Sequence, residues 1–300
     1  MDILNISDIT KSFGTNKVID HLSFSIPEHS IFGFIGQNGA GKTTTMKMIL
    51  GLLKADSGEI LVNGEKVTFG QNRTNRYIGY LPDVPEFYGF MTSEEYLTMC
   101  GRVTGMEKEK IRKKSSELLE LVGLENVNKR IHSFSRGMKQ RLGIAQALIN
   151  SPKLLICDEP TSALDPIGRK EILDILSSVR QETTVLFSTH ILSDVERICD
   201  RIALLNDGKI ALEGTIEEIK DIRKGSQLEI EFYQYEDAAL VARQYTSSCS
   251  INGARLLFAQ KTKEDMHEIM AYLVENNISI RRMEMLEPTL ENLFMEVIGR

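Results

Sequence analysis

The sequence contains no tryptophan, only four cysteines and no long apolar run. Because no apolar stretch approaches the roughly 18 residues that cross a bilayer, we expect no membrane-spanning segment. The opening residues, MDILNISDITKSFG, are acidic and polar where a secretory signal is basic and then apolar. We therefore expect the chain to stay inside the cell. The cysteines are expected to be reduced and mostly buried, because they are scattered without metal-binding spacing: Cys100, Cys157, Cys199 and Cys249.

Dense blocks of basic residues are also missing, and the formal net charge is -6. Nucleic-acid binding rests mainly on Lys and Arg side chains that meet phosphates, so this charge argues against a nucleic-acid partner. A hydrophobic content of 42% and a charged content of 26% are ordinary for a globular protein. The 300 residues suffice for one large domain and a smaller one.

The first part of the chain alternates between strand-like and helix-like patterns, which is typical of a mainly parallel sheet with helices on its faces. A helix is predicted from Gly41 to Leu52, and a capping box, TSEE at 92–95, opens a helical block at about 84–150. We expect that block to be inserted between two α/β halves. The predicted strands are KVIDHLSFSI, SIFGFIG, GEILVNG, RYIGYLP, KLLICDE and TTVLFSTH.

A second unit is predicted from about residue 225 to residue 300. Its pattern is strand, helix, two strands joined around Asn252-Gly253, helix and strand, followed by a closing helix with Pro288 at its start. The order βαββαβ predicts a small ferredoxin-like α+β domain with a helical addition.

Three glycines, a lysine and three threonines stand at the junction of a predicted strand and a predicted helix in GQNGAGKTTT. Gly36, Gly41, Lys42 and Thr43 fit the pattern G-x-x-x-x-G-K-[ST] in full, and the strand–helix context supports it over a Gly-rich turn with an exposed Lys. Backbone N–H groups of 39–44 would wrap a phosphate chain, aided by the helix N-terminus. Lys42 would reach the β- and γ-phosphates, and Thr43 would ligate Mg²⁺. The sequence therefore predicts a nucleoside triphosphate site.

Two carboxylates end the apolar run KLLICDEP, and ligands of parallel sheets bind where such strands end. We predict that Asp158 holds Mg²⁺ through water and that Glu159 is the general base for the attacking water. A pair of solvated acids is the plainer alternative. His190 ends VLFSTH and would lie beside the γ-phosphate, although a lone His is more often a packed or surface residue.

Together with HSFSRGMKQRLGIAQAL (132–148), these motifs closely resemble the ATP-binding cassette (ABC) ATPases over about residues 3–220. The resemblance implies a P-loop NTPase core with an N-terminal antiparallel β region, assigned to residues 1–222, and an accessory domain at 225–300. It implies ATP and Mg²⁺ as ligands and a second copy as partner, because the signature segment of one copy serves the ATP of the other. His190 matches the switch histidine, and Phe13 the aromatic residue that stacks on adenine. The nucleotide-binding residues so implied are Phe13, Gly36, Asn38, Gly39, Ala40, Gly41, Lys42, Thr43, Thr44, Asp83, Ser135, Gly137, Met138 and Asp165.

Two departures from the family pattern concern charged residues. Arg136 and Met138 replace the usual Gly and Gln of the signature segment, while Ser135 and Gly137 keep the groups that meet phosphate. Ser135 is the predicted N-cap of the following helix. Asp83 stands where the family usually has a glutamine that senses Mg²⁺ and water, so Asp83 is a third candidate metal ligand beside Thr43 and Asp158.

The cluster Phe87, Tyr88, Phe90 and Met91 either packs in the core or forms a groove for a short helix of a membrane subunit. The resemblance implies a separate permease, which would hold the chain at the inner face of the cell membrane. The C-terminal region resembles the tails of cassettes from drug and antimicrobial-peptide exporters, which favours export and a role for that tail in regulating or stabilising the dimer. Alternatives are a soluble ABC protein acting on ribosomes or DNA, a nucleotide-binding module without catalysis, and a small-molecule kinase.

Overall fold

The computed structural model describes residues 1–70, 73–222, 226–245 and 249–286, together with 290, 291, 293 and 294. The chain divides into two compact units, Met1–Ile216 and Glu217–Arg300. The domain limits drawn from the sequence, 1–222 and 225–300, stay predictions. Among the described helices, none combines the length and the apolar character needed to span a bilayer.

The first unit contains ten described strands and six helices, and α7 (Ile216–Ile222) begins at its end. The strands are β1 (Asp2–Phe13), β2 (Asn16–Pro27), β3 (Ile31–Gly36), β4 (Ser57–Val62), β5 (Glu65–Lys66), β6 (Ile78–Leu81), β7 (Leu154–Asp158), β8 (Thr184–Thr189), β9 (Arg201–Asn206) and β10 (Lys209–Thr215). The helices are α1 (Lys42–Ile49), α2 (Ser93–Val103), α3 (Lys108–Leu121), α4 (Arg136–Leu148), α5 (Pro166–Val179) and α6 (Leu192–Ile198).

Two sheets form the framework of this unit. An antiparallel sheet has the order β2-β1-β4-β5, and a six-stranded sheet has the order β10-β9-β3-β8-β7-β6. In the larger sheet the strands run parallel except for β10, which is antiparallel to β9. Every residue of β3, β7 and β8 is buried, as expected for apolar strands covered on both faces. The predicted α/β architecture is confirmed.

The order of the central strands decides where the site lies. Strand β8 lies between β3 and β7, and all three run in the same direction. Ile35 pairs with Thr189, and Asp158 pairs with Ser188, so the carboxyl ends of the three strands are level. Segments that leave these ends therefore meet at one edge of the sheet.

The predicted helical block lies between β6 and β7 and contains α2, α3 and α4. Its capping box is confirmed, because the Thr92 side chain accepts a hydrogen bond from the Glu95 N–H and the Glu95 carboxylate accepts one from the Thr92 N–H. The helix predicted for Gly41–Leu52 is shorter than expected, since α1 ends at Ile49 and Gly51 takes a φ of 68°.

The second unit has the predicted βαββαβ order. Its strands and helices are β11 (Ser226–Phe232), α8 (Tyr235–Gln244), β12 (Cys249–Asn252), β13 (Arg255–Lys261), α9 (Lys263–Glu275) and β14 (Ile280–Leu286). The antiparallel sheet order β12-β13-β11-β14 is that of a ferredoxin-like fold. The predicted closing helix with Pro288 at its start falls mostly outside the described residues.

The four cysteines are free. Cys157 is fully buried in β7, and burial raises the pKa of its thiol far above the usual range. The other three are of intermediate exposure, so Cys157 is the one cysteine of the four that is fully buried.

Candidate nucleotide-binding and hydrolysis site

The segment between β3 and α1, residues 36–44, is called the phosphate loop below. Gly41 takes a φ of 109° at the N-cap of α1, and a Cβ there would lie 2.5 Å from Ile19 Cδ1. A Cβ at Gly36 would lie 2.7 Å from the Leu205 carbonyl oxygen. At Gly39 a Cβ would meet no atom within 4 Å. The protein's own packing therefore requires Gly36 and Gly41, and the space in front of the loop is open at Gly39.

Lys42 turns back over the phosphate loop and is only 6% exposed. Its Nζ donates to the Gly36 carbonyl oxygen at 2.7 Å and to that of Gln37 at 3.3 Å. The same atom lies 3.2 Å from Glu159 Oε1. The lysine charge is thus held against two carbonyl oxygens of the phosphate loop and already faces one carboxylate.

Thr43 and Asp158 form the second contact of the site. Thr43 Oγ1 donates to Asp158 Oδ2 at 2.8 Å, and Ser188 Oγ donates to Asp158 Oδ1 at 2.6 Å. Asp158 is 4% exposed, so both carboxylate oxygens are satisfied in a buried setting. Nearby Tyr80 has its pKa raised to about 12, first by burial and then by the Asp158 charge.

Glu159 stands at the centre of the cluster in a strained backbone conformation. Its φ is 49°, and its N–H donates to Ser188 Oγ at 3.0 Å. Glu159 Oε2 lies 2.9 Å from His190 Nδ1, while Oε1 faces Lys42. The structure therefore brings together the predicted general base, the predicted switch histidine and the lysine of the phosphate loop.

The signature segment, residues 135–138, forms the N-cap and the first turn of α4. Ser135 is the N-cap of this helix and accepts a hydrogen bond from the Met138 N–H at 3.2 Å, which confirms the predicted cap. A Cβ at Gly137 would meet Leu164 Cδ2 at 3.9 Å and no nearer atom, so the first turn is open on that side. Asp165 caps α5 by accepting from the Gly168 N–H at 2.9 Å.

The remaining predicted residues lie within the phosphate loop or in other segments of the chain. Asn38 and Gly39 are exposed, Ala40 is buried and Thr44 is half-buried. Phe13 has a 51% exposed ring, with Lys11 Nζ 5.5 Å from its centroid. Asp83 does not join Thr43 through any described contact; its Oδ1 accepts from Ser162 Oγ at 2.6 Å.

Comparison with known proteins identifies the family. The family model described as "ABC transporter" matches residues 19–162. The uncharacterized ABC transporter ATP-binding protein YxlF of Bacillus subtilis is 37% identical, and the alignment covers 99% of each chain. This chain belongs to the ABC transporter ATP-binding proteins. As an ABC ATPase it binds and hydrolyses nucleotide.

Other similarities cover the whole chain or part of it. The bacitracin transport ATP-binding protein BcrA of Bacillus licheniformis is 36% identical over 99% of this ABC ATPase and 97% of its own length. The model of the "ATP-binding protein DrrA1-3-like, C-terminal domain" matches residues 214–298. The solved structure of cbiO1 from Clostridium perfringens, part of the ABC transporter complex cbiONQ, has a TM-score of 0.67 and 26% identity. It covers 73% of this chain and 90% of its own.

The sequence does not predict two buried polar residues of this ABC ATPase, Ser188 and Asp194. Ser188 joins the two acidic residues, and the only sign of it is a hydroxyl at the end of the apolar strand VLFST. Buried Asp194, in α6, accepts from Thr161 Oγ1 at 2.7 Å and pairs with Arg169 at 2.6 Å. The hydrogen bond between Thr161 and Asp194 connects the segment after Glu159 to α6, the helix after His190. No local pattern marks it, because its members lie far apart in the sequence.

Proposed function

We propose that this ABC ATPase binds ATP with Mg²⁺ in the phosphate loop and uses Glu159 as general base. The observation that carries the proposal is the contact of Glu159 with both Lys42 and His190 at the ends of adjacent strands. A carboxylate in that position accepts a proton from water, and His190 holds its other oxygen. Lys42 is placed to bind the phosphates whose transfer follows.

The residues present fit a magnesium ion. Thr43 and Asp158 offer a hydroxyl and a carboxylate oxygen that already lie 2.8 Å apart, and Mg²⁺ binds through few protein oxygens, phosphate oxygens and water. Bound there, the ion would neutralise charge on the phosphates. Ser188 would keep the Asp158 carboxylate in position.

We further propose that two copies close over two ATP molecules. Support comes from the first turn of α4, where Ser135 caps a helix N-terminus and Gly137 leaves space beside it. Such a helix end is suited to bind an anion. By resemblance, it lies in the segment that contacts the ATP bound to the other copy. Met138 and Asp165 would then lie near the nucleotide of the partner.

A separate membrane permease is the proposed partner, with export as the direction of transport. A groove of about 490 Å³ is lined by acidic, basic and apolar residues, including Glu86, Phe87 and Lys139. Phe87 packs edge-on against Tyr96, whereas Tyr88 and Phe90 are 55% and 69% exposed, which favours docking for this part of the cluster. Export is supported by the DrrA-like C-terminal match and by BcrA, named for bacitracin transport.

The catalytic proposal is tested with Glu159→Gln in the full chain. Hydrolysis should fall roughly 100- to 10,000-fold, the usual contribution of a general base, while ATP binding should persist because Lys42 loses a competing anion. Phosphate release and filter-bound ATP measure the two properties. A mutant with wild-type turnover, or a wild-type chain with none when its permease is present or absent, would refute the assignment.

Dimerisation is tested in the Glu159→Gln background, where ATP should accumulate in the closed state. Light scattering should report a dimer with ATP and Mg²⁺ and a monomer without them. Adding Ser135→Arg should abolish the dimer but leave ATP binding intact, and Ser178→Arg, at the far end of α5, should change neither. A dimer that tolerates Ser135→Arg contradicts the shared site.

Permease docking is tested by co-purification with the membrane protein encoded next to this chain. Tyr88→Ser and Phe90→Ser should weaken the complex while ATP binding by the free chain stays unchanged. Phe69→Ser is the matched control, because Phe69 is 63% exposed and lines a different pocket, beside β4 and β5. Equal recovery of the complex from all variants would exclude this surface.

A further inference from the structure

Asp83 joins three segments of the first unit. Its Oδ1 accepts the short hydrogen bond from Ser162 Oγ, and Arg136 NH2 lies 3.8 Å from the same oxygen. The Asp83 carbonyl oxygen accepts from Gln140 Nε2 at 2.7 Å, and Gln140 is fully buried. The segment after β6 is thereby tied to the first turn of α4 and to the SALD segment, residues 162–165.

The two charged residues in this group, Asp83 and Arg136, both depart from the family pattern. Asp83 and Arg136 carry opposite charges and lie 3.8 Å apart, so each offsets the charge of the other. Both side chains are about half exposed, at 49% and 48%, so solvent screens their attraction. The short bond from Ser162 to the carboxylate is stronger because it is charge-assisted, and it fixes the direction of the carboxylate.

We propose that Asp83 and Arg136 work as one pair of positioning residues. Together with Ser162 they hold the first turn of α4 and the SALD segment in the arrangement that completes the ATP site of a second copy. This inference rests on the proposed function, since the first turn of α4 matters for turnover only if two copies share their sites. It assigns Asp83 to positioning and away from the metal.

A double-mutant cycle in the full chain tests the pair. Asp83→Asn keeps an acceptor for Ser162 but removes the charge, and Arg136→Gln removes the opposite charge. Each single change should lower kcat about twofold to fivefold, the range for a partly exposed ion pair, and the double change should lower it no further. The KM for ATP and the Mg²⁺ concentration for half-maximal rate should stay unchanged. Arg136→Lys should restore most of the rate.

Lys139→Gln is the matched control, because Lys139 lies on the same helix and lines the same groove. In the double mutant, the fold-losses in kcat from Lys139→Gln and Asp83→Asn should multiply. Losses from Asp83→Asn and Arg136→Gln that also multiply would overturn the pairing. So would a higher Mg²⁺ requirement in Asp83→Asn alone, which would make Asp83 a metal ligand.

Hydrogen exchange of the nucleotide-free chain separates this proposal from the proposed function. The Met138 and Lys139 N–H groups donate to the side chain and the carbonyl of Ser135. Their exchange should rise up to about fivefold in Asp83→Asn and in Arg136→Gln, without further increase in the double mutant. If exchange behaves so but the wild type never hydrolyses ATP, only the proposed function fails. Unchanged exchange in both single mutants refutes the pairing.

Discussion

Ser188 offers the sharpest test of what positions the acidic residues of the site, because its one hydroxyl is hydrogen-bonded to both Asp158 and Glu159. It is fully buried, donates to Asp158 Oδ1 at 2.6 Å and accepts from the Glu159 N–H at 3.0 Å. In Ser188→Ala the Asp158 carboxylate loses one partner and keeps Thr43. The Glu159 N–H keeps a backbone acceptor, since the Ser188 carbonyl oxygen lies 3.2 Å away.

The magnitude follows from these contacts. A hydrogen bond to a charged group contributes about 1.5–3 kcal/mol, and the Glu159 contact adds little because its donor stays paired. We therefore expect Ser188→Ala to lower the free energy of unfolding by about 2 kcal/mol. Loss of a group that orients a metal ligand typically costs roughly 10- to 100-fold in metal affinity or activity. The Mg²⁺ concentration for half-maximal ATPase rate should rise accordingly.

The assays are urea unfolding followed by circular dichroism and a Mg²⁺ titration of the ATPase rate at saturating ATP. Ser30→Ala is the matched control, because Ser30 is also buried and its Oγ donates to a neutral acceptor, the Pro27 carbonyl oxygen, at 2.7 Å. It should cost about 1 kcal/mol and leave the titration unchanged. If Ser188→Ala also titrates like the wild type, Ser188 does not orient a metal ligand and the reasoning fails.

Two further predictions concern single residues that the resemblance assigns to nucleotide binding. Asp165→Ala should lower the free energy of unfolding by about 1 kcal/mol through loss of the α5 cap, and Asp165→Asn should not; equal unfolding curves would contradict the capping role. Phe13→Ala should weaken ATP binding by roughly 1–3 kcal/mol if its exposed ring stacks on the base, measured by calorimetry against Phe69→Ala. Unchanged affinity would remove Phe13 from the site.

Much of this architecture is predictable from local patterns. The runs in β3, β7 and β8 are apolar throughout, which predicts strands covered on both faces. Once these strands are neighbours, the residues that follow their carboxyl ends must meet. The positions of Lys42, Glu159 and His190 in the sequence therefore suffice to predict that the three lie together. The capping box at Thr92 is equally local, because both of its hydrogen bonds lie within one helical turn.

The rest of the fold and the site depends on contacts that no hydrophobic periodicity and no sequence motif predicts. The sequence of β1 does not predict a strand, since register shifts between Ile6 and Ile9 and at later positions break its alternation. The bond from Ser162 to Asp83 joins residues from two different segments, and only the fold brings them together. Resemblance predicted a metal role for Asp83 from its position in the chain. A side chain's direction is set by its neighbours, and here these are a hydroxyl and a guanidinium.

The contacts of Lys42 suggest why substrate binding and activation of the base are linked. An ammonium group has three donors, and two of them already go to the carbonyl oxygens of Gly36 and Gln37. The remaining attraction is to Glu159, which is 3.2 Å away and 13% exposed. A triphosphate bound as proposed would offer several anionic oxygens near Lys42 Nζ and would draw the lysine charge toward itself. Glu159 Oε1 would then be free of Lys42 while Oε2 keeps His190, so Oε1 could accept a proton from water.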